Sequence, residues 1–329
     1  MSILVCGGAG YIGSHCVYEL VEKGEDVIVV DNLETGHKEA INPKAKFYNV
    51  DIRDFDSLNN VFKENDIEGV IHFAANSLVG ESMIHPLKYY NNNLHGTEVL
   101  LRVMVENKVD KIVFSSTAAV YGEPETMPIK ETDKNDPTNT YGETKLAMEK
   151  MMKWVNKAYG LRYISLRYFN VAGAHENGLI GEDHTPETHL IPLILQVPLN
   201  KRDKISIFGD DYETKDGTCV RDYIHVKDLI NAHLLAFNKL RDGYKCDVFN
   251  LGNGSGFTVK EMIEAARKVT GHKIPAEISQ KRAGDPAALV ASSEKAKKIL
   301  GWRPKYNSVE EIIESAWNFH KNHINGFKK

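Results

Sequence analysis

Short hydrophobic runs alternate with amphipathic segments along the first two thirds of the chain. The runs are rich in β-branched and aromatic residues and predict strands: SILVCG, DVIVVD, KFYNVD, GVIHFAA, KIVFSST and YISLRYFN. Between them, SHCVYELVEKG and PLKYYNNNLHGTEVLLRVMVENK carry hydrophobic residues at helical spacing. This alternation predicts a parallel sheet with helices on both faces, which is a doubly wound α/β (Rossmann) fold.

The chain is longer than a usual single domain, and 329 residues suit one large α/β core with a smaller attached domain. We place the first domain at residues 1–174 and the smaller one at residues 175–329. The segments YIHVKDLINAHLLAFNKL and KCDVFNLGN have helix and strand patterns. We therefore expect residues 225–252 to return to the first domain.

Composition narrows the classes of partner. The hydrophobic and charged fractions, 42% and 26%, are ordinary for a globular protein. The net charge of -4 and the scattered basic residues argue against nucleic acid as a partner. The first residues show no basic targeting region, and no hydrophobic run reaches the length of a membrane span. We expect a cytoplasmic protein with no membrane partner.

Neither the cysteines nor the histidines predict a metal site. The cysteines have neither metal-ligand spacing nor a disulfide framework, which fits a reducing compartment. They are Cys6, Cys16, Cys219 and Cys246. His175, His184 and His189 lie in one loop-like segment, HENGLIGEDHTPETH, but their spacings match no regular metal site. We expect packing roles for the cysteines and no metal.

A glycine motif, GGAGYIGSH, stands between the first strand and the first helix. It places Gly7, Gly10 and Gly13 in a G-x-x-G-x-x-G spacing. Glycines permit a tight turn and let backbone N–H groups at the helix N-terminus approach a pyrophosphate. A strand-to-helix turn without a ligand is the alternative interpretation of the motif alone.

Acidic residues end the second and third strands. Asp31 stands where a dinucleotide fold places a carboxylate on the ribose 2′-hydroxyl, and such a carboxylate repels a 2′-phosphate. This favours NAD over NADP. Asp51 is predicted near the adenine, with a helix cap as the alternative.

The stretch NTYGETKLAMEK places Tyr141 and Lys145 four residues apart on a predicted helix. Residues at this spacing share a helix face one turn apart. A free tyrosine has a pKa of about 10, and each unit of lowering requires about 1.4 kcal/mol of stabilisation of the phenolate. Lys145 and the positive nicotinamide ring of an oxidised cofactor are the predicted sources. The pair is thus predicted to accept a proton beside a hydride acceptor.

Hydroxyl residues follow the strand in KIVFSSTAAVYG. Ser115, Ser116 and Thr117 are expected at the carboxyl edge of the sheet, where ligands of such folds bind. Thr117 is predicted to link a substrate hydroxyl to the Tyr141 phenol. Capping of the strand end is the alternative interpretation.

Together, the glycine motif, the strand-end hydroxyl and Y-x-x-x-K resemble the extended short-chain dehydrogenase/reductase family. Similarity to its UDP-hexose 4-epimerases covers almost the whole chain. It lies in GGAGYIGSH, VVDNL, VIHFAA, VGES, YYNNN, FSSTAAVYG, LRYFNVAGAH, IFGDDYETKDGTCVRDYIHV and NLGNG. The resemblance implies an isomerase of galactose metabolism that interconverts UDP-galactose and UDP-glucose with tightly bound NAD.

The resemblance also implies roles for individual residues. Tyr141 becomes the catalytic base, Lys145 tunes it and binds the nicotinamide ribose, and Thr117 completes the proton path. Besides these residues and the three glycines, the positions around NAD are Tyr11, Ile12, Asp31, Asn32, Leu33, Asp51, Ile52, Phe73, Asn92, Ser115 and Phe169. The positions around the UDP-sugar are Thr117, Asn170, Leu190, Ser206, Phe208, Arg221, Arg282, Asp285 and Leu289.

The implied mechanism inverts a carbon that has no acidic proton. Tyr141 takes the proton from O4 while hydride passes from C4 to NAD. The 4-keto sugar then turns about its link to the nucleotide and receives hydride on its opposite face. Binding energy from the UDP group holds the intermediate meanwhile.

Three positions depart from the better-known bacterial pattern. Ser77 replaces a lysine near the cofactor phosphates, and His189 replaces an asparagine before L-x-P. Leu289 stands where strict glucose/galactose enzymes carry a tyrosine that closes the pocket at C2 of the sugar. Because leucine is intermediate in size, we expect weak activity on UDP-N-acetylhexosamines.

Other functions remain as alternatives. Related 4,6-dehydratases carry acids directly after the strand-end threonine. This chain has Ala118 and Ala119 there, which disfavours a 4,6-dehydratase. An NAD-dependent sugar dehydrogenase and a dinucleotide-binding sensor remain, although a sensor would not need Tyr141 and Lys145. The predicted helix at residues 141–158 carries more hydrophobic residues than one buried face needs. This predicts a homodimer, with core packing as the alternative.

Overall fold

The hydrophobic runs form one seven-stranded sheet in a computed structural model that describes residues 1–281 and 286–327. Neighbouring strands in this sheet are all parallel, which confirms the predicted doubly wound α/β fold. The strands are β1 (Ser2–Cys6), β2 (Val27–Asp31), β3 (Lys46–Asn49), β4 (Ile67–His72), β5 (Lys111–Ser115), β6 (Arg162–Tyr168) and β11 (Cys246–Leu251).

The strand order is β3-β2-β1-β4-β5-β6-β11. The chain moves outward from β1 to β3 and then crosses back to place β4 on the other side of β1. Such a reversal leaves a crevice outside the carboxyl ends of the two central strands, where ligands of open α/β sheets bind. The fold therefore places the candidate site beside the ends of β1 and β4.

Helices cover both faces of the sheet. One face packs against α1 and α8, and the other packs against α2, α5 and α6. The helices of this part are α1 (Tyr11–Glu22), α2 (Phe55–Glu64), α3 (Val79–Ile84), α4 (Pro86–Tyr89), α5 (Gly96–Glu106), α6 (Thr140–Tyr159) and α8 (Val226–Arg241). Short 3₁₀ turns occupy residues 38–40 and 118–121.

A further hydrophobic core lies in the C-terminal part, among α7, β8, α9 and α11. The helices here are α7 (Leu190–Leu195), α9 (Val259–Thr270), α10 (Glu294–Ile299) and α11 (Val309–Asn322). The remaining strands are β7 (Asn170–Ala172), β8 (Ile205–Phe208), β9 (Val220–Arg221), β10 (Tyr223–His225), β12 (Phe257–Thr258), β13 (Ala276–Ser279) and β14 (Ala288–Leu289). Of these, β7 and β10 contribute residues to this core and to the core of the first part. The remaining strands form small sheets: β7 with β10, β8 with β13, and β9 between β12 and β14.

Helix α6 has clear sequence signals at both ends. The Asn139 side chain accepts a hydrogen bond from Gly142 N at 2.9 Å and caps the first turn. Gly160 ends the helix in the left-handed conformation, with φ of 77°. These caps fix where the helix begins, and so fix the register of Tyr141 and Lys145.

The segment predicted as one helix over residues 86–108 is interrupted. A π-helical turn, Tyr90–His95, stands between α4 and α5. Within it, Asn93 is fully buried, and its side-chain amide donates to Asn76 O and Thr144 Oγ1. A buried amide held on two sides is a local reason for the wider turn. Among the helices of the described residues, none has the length and hydrophobicity needed to cross a membrane.

Candidate active site

The predicted site residues gather at the carboxyl edge of the sheet because all seven strands point the same way. Gly7 follows β1, Asp31 ends β2, Phe73 follows β4, and Thr117 follows β5. The sheet thus brings residues that are far apart in sequence to one crevice.

The glycine turn is tightly packed at two positions and open at the third. A Cβ on Gly7, whose φ is +79°, would lie 2.6 Å from Ala74 N, and one on Gly13 would lie 2.0 Å from Gly7 O. A Cβ on Gly10 would meet only Gly7 O, at 3.5 Å. Gly7 and Gly13 therefore let the strand, turn and helix pack closely, whereas Gly10 faces open space.

The amino end of α1 fits a pyrophosphate. In the part of the chain that the structure describes, no side chain caps this end, since the N-cap residue is Gly10 itself. The first N–H groups of a helix have no partner inside the helix and attract anions. Asn76, four residues after the end of β4, has a buried Nδ2 with no hydrogen-bond partner among the described residues. The turn therefore fits the phosphates of a dinucleotide.

Asp31 is buried directly beside this turn. Its carboxylate accepts hydrogen bonds from Ala9 N at 3.0 Å and from Leu33 N at 2.8 Å. Burial raises the pKa of the Asp31 carboxyl, and the two N–H groups oppose this rise. Leu33 adopts a left-handed conformation, with φ of 59°, which is uncommon for a residue other than glycine. The loop after β2 is thus shaped around the Asp31 carboxylate.

Asp51 lies in a polar network next to Asn32. The Asn32 amide donates to Asp51 Oδ2 at 2.9 Å, and the Arg53 guanidinium donates to both carboxylate oxygens. These hydrogen bonds, chiefly the one from Arg53, hold the pKa of Asp51 well below its usual range. The next residue, Ile52, is buried in the hydrophobic core. Asp51 is therefore a fixed anion, and it is not the N-cap of α2, since that position belongs to Asp54.

Tyr141 and Lys145 lie on one face of α6, as their spacing predicts, but they do not form a close pair. The Lys145 ammonium lies 5.9 Å from the centre of the Tyr141 ring. It instead donates to the Ser115 backbone carbonyl at 2.8 Å, and the residue is 2% exposed. Burial lowers the pKa of Lys145 to about 7, and burial raises the pKa of Tyr141. We expected Lys145 to lower the pKa of the Tyr141 phenol. In the protein alone it does not do so.

The three hydroxyl residues after β5 have different partners. The Thr117 hydroxyl forms a hydrogen bond with the Tyr141 phenol, which opposes the rise in the tyrosine pKa. The Ser116 hydroxyl donates to Glu149 Oε1 at 2.6 Å, and the Ser115 hydroxyl shares a short hydrogen bond with the Tyr168 phenol. Thr117 is therefore the hydroxyl joined to Tyr141. Its oxygen also accepts from Ala119 N at 3.2 Å. Thr117 therefore also caps the 3₁₀ turn at residues 118–121.

A small hydrophobic cluster lines the region after Thr117. Ala118, Phe169 and Leu289 pack together against a buried core of four residues. Leu289 also lies opposite Arg221 in the pairing of β14 with β9. The structure therefore brings together residues predicted for the cofactor side and for the sugar side.

The other predicted substrate positions are spread over several elements. The Arg221 guanidinium donates to the carbonyls of Val220 and Pro286 at 2.8 and 2.9 Å, and the Asn170 amide donates to Asp222 O at 3.3 Å. Leu190 begins α7, and Ser206 and Phe208 lie on β8. Arg282 and Asp285 lie outside the described residues.

The remaining predicted cofactor positions lie in α1, directly after β4 and in the π-helical turn. Phe73 N donates to Cys6 O at 2.8 Å, Ile12 packs against the sheet, and Asn92 donates to Asn93. The Tyr11 hydroxyl donates to Gly173 O at 2.6 Å across 162 residues of sequence. Tyr11 thus joins the start of α1 to the strand that leads into the C-terminal part.

Four polar residues of this region, Glu149, Arg167, Glu182 and Glu187, are absent from the sequence predictions. Glu149 and Arg167 form a buried ion pair, 2.5 Å between Oε2 and Nη2, on the side of α6 that faces β6. Glu149 stands one turn after Lys145, a spacing that could have indicated it. A second group, Glu182, His184, Glu187 and His189, lies together in the loop before α7. Of the three histidines in the predicted loop, His175 lies apart from this group, beside Glu22.

Comparison with known proteins agrees with this geometry. The profile of the NAD dependent epimerase/dehydratase family matches residues 3–252. A UDP-glucose 4-epimerase from Halalkalibacterium halodurans is 61% identical over 327 residues, which are 99% of this chain and 98% of the relative.

Solved structures agree over the full length. A crystal structure of a UDP-glucose 4-epimerase, 61% identical, has a TM-score of 0.99 with complete coverage of both chains. The UDP-glucose 4-epimerase from Bifidobacterium longum, in complex with NAD+ and UDP, is 42% identical, with a TM-score of 0.93 over 99% of this chain and 100% of that one. The chain therefore belongs to the NAD-dependent epimerase/dehydratase family and, within it, to the UDP-glucose 4-epimerases.

Proposed function

We propose that this chain interconverts UDP-galactose and UDP-glucose by inverting C4 of the hexose, with NAD as a resident cofactor. The observation that carries the proposal is the placement of Thr117, Tyr141 and Lys145 at one sheet edge, beside the open glycine turn. Full-length relatives of this activity support it.

Transfer of the O4 proton is carried out by side chains of the protein itself. C4 carries no acidic hydrogen, so inversion requires oxidation to a ketone and reduction from the opposite face. Tyr141 accepts the O4 proton and returns it, and its hydrogen bond with Thr117 stabilises the phenolate form. Bound NAD supplies the hydride acceptor and then the donor, so no external oxidant is consumed. Lys145, fixed by Ser115 O, places a donor for a cofactor hydroxyl beside the tyrosine.

For the cofactor, we assign the backbone N–H groups of Tyr11, Ile12 and Gly13 to the pyrophosphate, since they begin α1 and Gly10 leaves them accessible. Asp31 is assigned to a ribose hydroxyl. The remaining predicted cofactor positions keep their proposed contacts with NAD: Asn32, Leu33, Asp51, Ile52, Phe73, Asn92, Ser115 and Phe169.

For the substrate, we assign Arg221 to the diphosphate, because a guanidinium binds oxygens in pairs. Asn170, Leu190, Ser206 and Phe208 are proposed to contact the UDP group, together with Arg282 and Asp285, which lie outside the described residues. Ala118 and Ala119 follow Thr117 with no acid for water elimination. Reduction is therefore the outcome that these residues support for the ketone.

We further propose that Leu289 permits weak activity on UDP-N-acetylhexosamines. It packs with Ala118 and Phe169 near the site, and a leucine leaves more room than a tyrosine would.

The proposal also extends to the organisation of the chain. Residues 1–174 with 225–252 form the cofactor part, and residues 175–329 form the UDP-sugar part. A homodimer through α6 is supported by Trp154 and Tyr159, which are 65% and 67% exposed there. The buried thiols of Cys6 and Cys16 are compatible with a cytoplasmic location.

The direct test uses the protein as purified with UDP-galactose and no added NAD. We expect UDP-glucose to form to equilibrium, with no net rise in NADH absorbance. Accumulation of NADH with a 4-keto or acid product would indicate a dehydrogenase and reject the proposal. Absence of turnover with either UDP-hexose after NAD is supplied would also reject it.

A further inference from the structure

Two glutamates and two histidines converge in the loop that precedes α7. Glu182, His184, Glu187 and His189 follow the pattern E-x-H-x-x-E-x-H. One ligand atom from each lies within 4.8 Å of all the others. The loop therefore folds so that four good metal ligands point to one centre.

Four nitrogen–oxygen distances within the cluster are close to the edge of a small coordination tetrahedron, with a different Glu187 oxygen facing each histidine. His189 Nδ1 lies 2.8 Å from Glu182 Oε1 and 3.2 Å from Glu187 Oε1. His184 Nδ1 lies 3.3 Å from Glu182 Oε1 and 3.7 Å from Glu187 Oε2. Ligands placed tetrahedrally at a zinc–ligand distance of about 2.1 Å are roughly 3.4 Å apart.

The two carboxylates of the cluster are held away from water, whereas the His184 and His189 side chains are 29% and 44% exposed. The side chains of Glu182 and Glu187 are 5% and 9% exposed. His184 Nδ1 is itself buried and makes no hydrogen bond to any described residue, although it points at both carboxylates. Two neighbouring buried carboxylates require compensating positive charge. Either protons on both imidazoles or one divalent cation can supply it, and a cation would use ligand atoms of all four residues at one centre.

A second group of possible ligands needs no cation to compensate the charge of its carboxylates. Glu19, Glu22 and His175 also converge. However, the Lys227 ammonium lies 3.0 Å from Glu19 Oε1, so an ammonium already compensates the charge there. The loop before α7 is therefore the better candidate for a metal site.

We propose that Glu182, His184, Glu187 and His189 bind one structural Zn²⁺. Four protein ligands would close the tetrahedron and leave no open position, as in structural rather than catalytic zinc sites. The ion would fix the loop between two parts of the candidate site. The His184 ring lies 6.3 Å from the Tyr11 ring at the glycine turn, and His189 is the residue that precedes Leu190 in α7.

The test begins with the wild-type holoprotein. After treatment with a chelator, we expect it to rebind one Zn²⁺ per chain, measured by elemental analysis, and to gain thermal stability on rebinding. With Co²⁺ as the probe, we expect the intense visible absorption of a tetrahedral site. Weak octahedral absorption, or no stoichiometric binding, would overturn the proposal independently of any variant.

Variants then assign the ligands. In His189→Asn and Glu187→Gln, zinc affinity should fall by about 100-fold or more, since even indirect supports of a metal cost 10- to 100-fold. His95→Asn is the matched control, because His95 lies 3.5 Å from Glu98 on the surface and has no second such pair among the described residues. Equal affinity in the control and in the two cluster variants would reject the site.

Discussion

The Lys145 ammonium binds the Ser115 carbonyl at 2.8 Å and stays 5.9 Å from the Tyr141 ring centre. The lysine therefore anchors helix α6 to the end of strand β5. Because the two side chains have different partners, we expect replacement of each to change a different property of the protein.

Replacing Tyr141 with phenylalanine removes the proton acceptor and keeps the ring. We expect epimerisation of UDP-galactose to fall by about 10²- to 10⁴-fold, the usual contribution of a positioned acid or base. NAD content after purification should stay near that of the wild type. Tyr159→Phe, an exposed position on the same helix, is the control and should keep full activity. A Tyr141→Phe enzyme with wild-type turnover would remove the phenol from the mechanism.

Lys145 gives the protein a defined dependence of stability on pH. Its pKa is about 7 in the folded protein and near 10.5 in an unfolded chain. Between these values the unfolded chain binds more protons, so stability rises with pH in this window. Without nucleotide, the wild type should gain up to about 1.4 kcal/mol per pH unit relative to Lys145→Met between pH 7 and 10.

Urea unfolding at pH 6, 7.5 and 9 measures this difference. Below pH 7 the lysine is charged in both states, and the difference should be constant. Lys150→Met, an exposed lysine on α6, should show no such trend. Parallel curves for the wild type and Lys145→Met would mean that the folded protein does not disfavour the charge.

Gly10→Ala tests the open position of the glycine turn. The added Cβ meets only Gly7 O at 3.5 Å, so the fold should tolerate it. It projects into the space assigned to the pyrophosphate, and NAD affinity should fall about tenfold or more, a loss of roughly 1.4 kcal/mol. Titration of NAD by calorimetry checks this. Gly80→Ala, where a Cβ meets nothing within 4 Å, should bind NAD normally.

Leu289→Ser tests the C2 side of the sugar pocket. The smaller side chain should raise kcat/KM for UDP-N-acetylglucosamine relative to UDP-glucose by about tenfold or more. Leu289→Tyr should lower the same ratio. Leu179→Ser, at a position 56% exposed, is the control. An unchanged ratio in both Leu289 variants would place the selectivity elsewhere.

The sheet was predictable because its central strands are short hydrophobic runs, and β2, β4 and β5 end at the polar residues Asp31, His72 and Ser115. For the same reason, the approach of the glycine turn to Asp31, through Ala9 N, follows from the strand ends. Tyr141 and Lys145 were placed by helical periodicity, which the caps at Asn139 and Gly160 hold in register.

Features that depend on single side chains in loops were not predictable. The π-helical turn depends on the buried Asn93 amide, which hydrophobic periodicity does not report. The hydrogen bond from Lys145 to Ser115 O depends on how closely α6 packs against the sheet. The loop at Glu182 and His189 has no periodicity, and the spacing of its histidines alone does not indicate the two glutamates. Its symmetric E-x-H-x-x-E-x-H pattern was the available signal.

The bond from Tyr11 to Gly173 has a consequence for motion. Gly173 has a φ of +92°, and a Cβ there would lie 2.6 Å from the His225 ring. The chain is thus held by a hydrogen bond on one side and by packing on another. Bending here would break the Tyr11 bond and disturb the start of α1. Any displacement of the residues that follow β7 is therefore coupled, through Tyr11, to the helix end that follows the glycine turn.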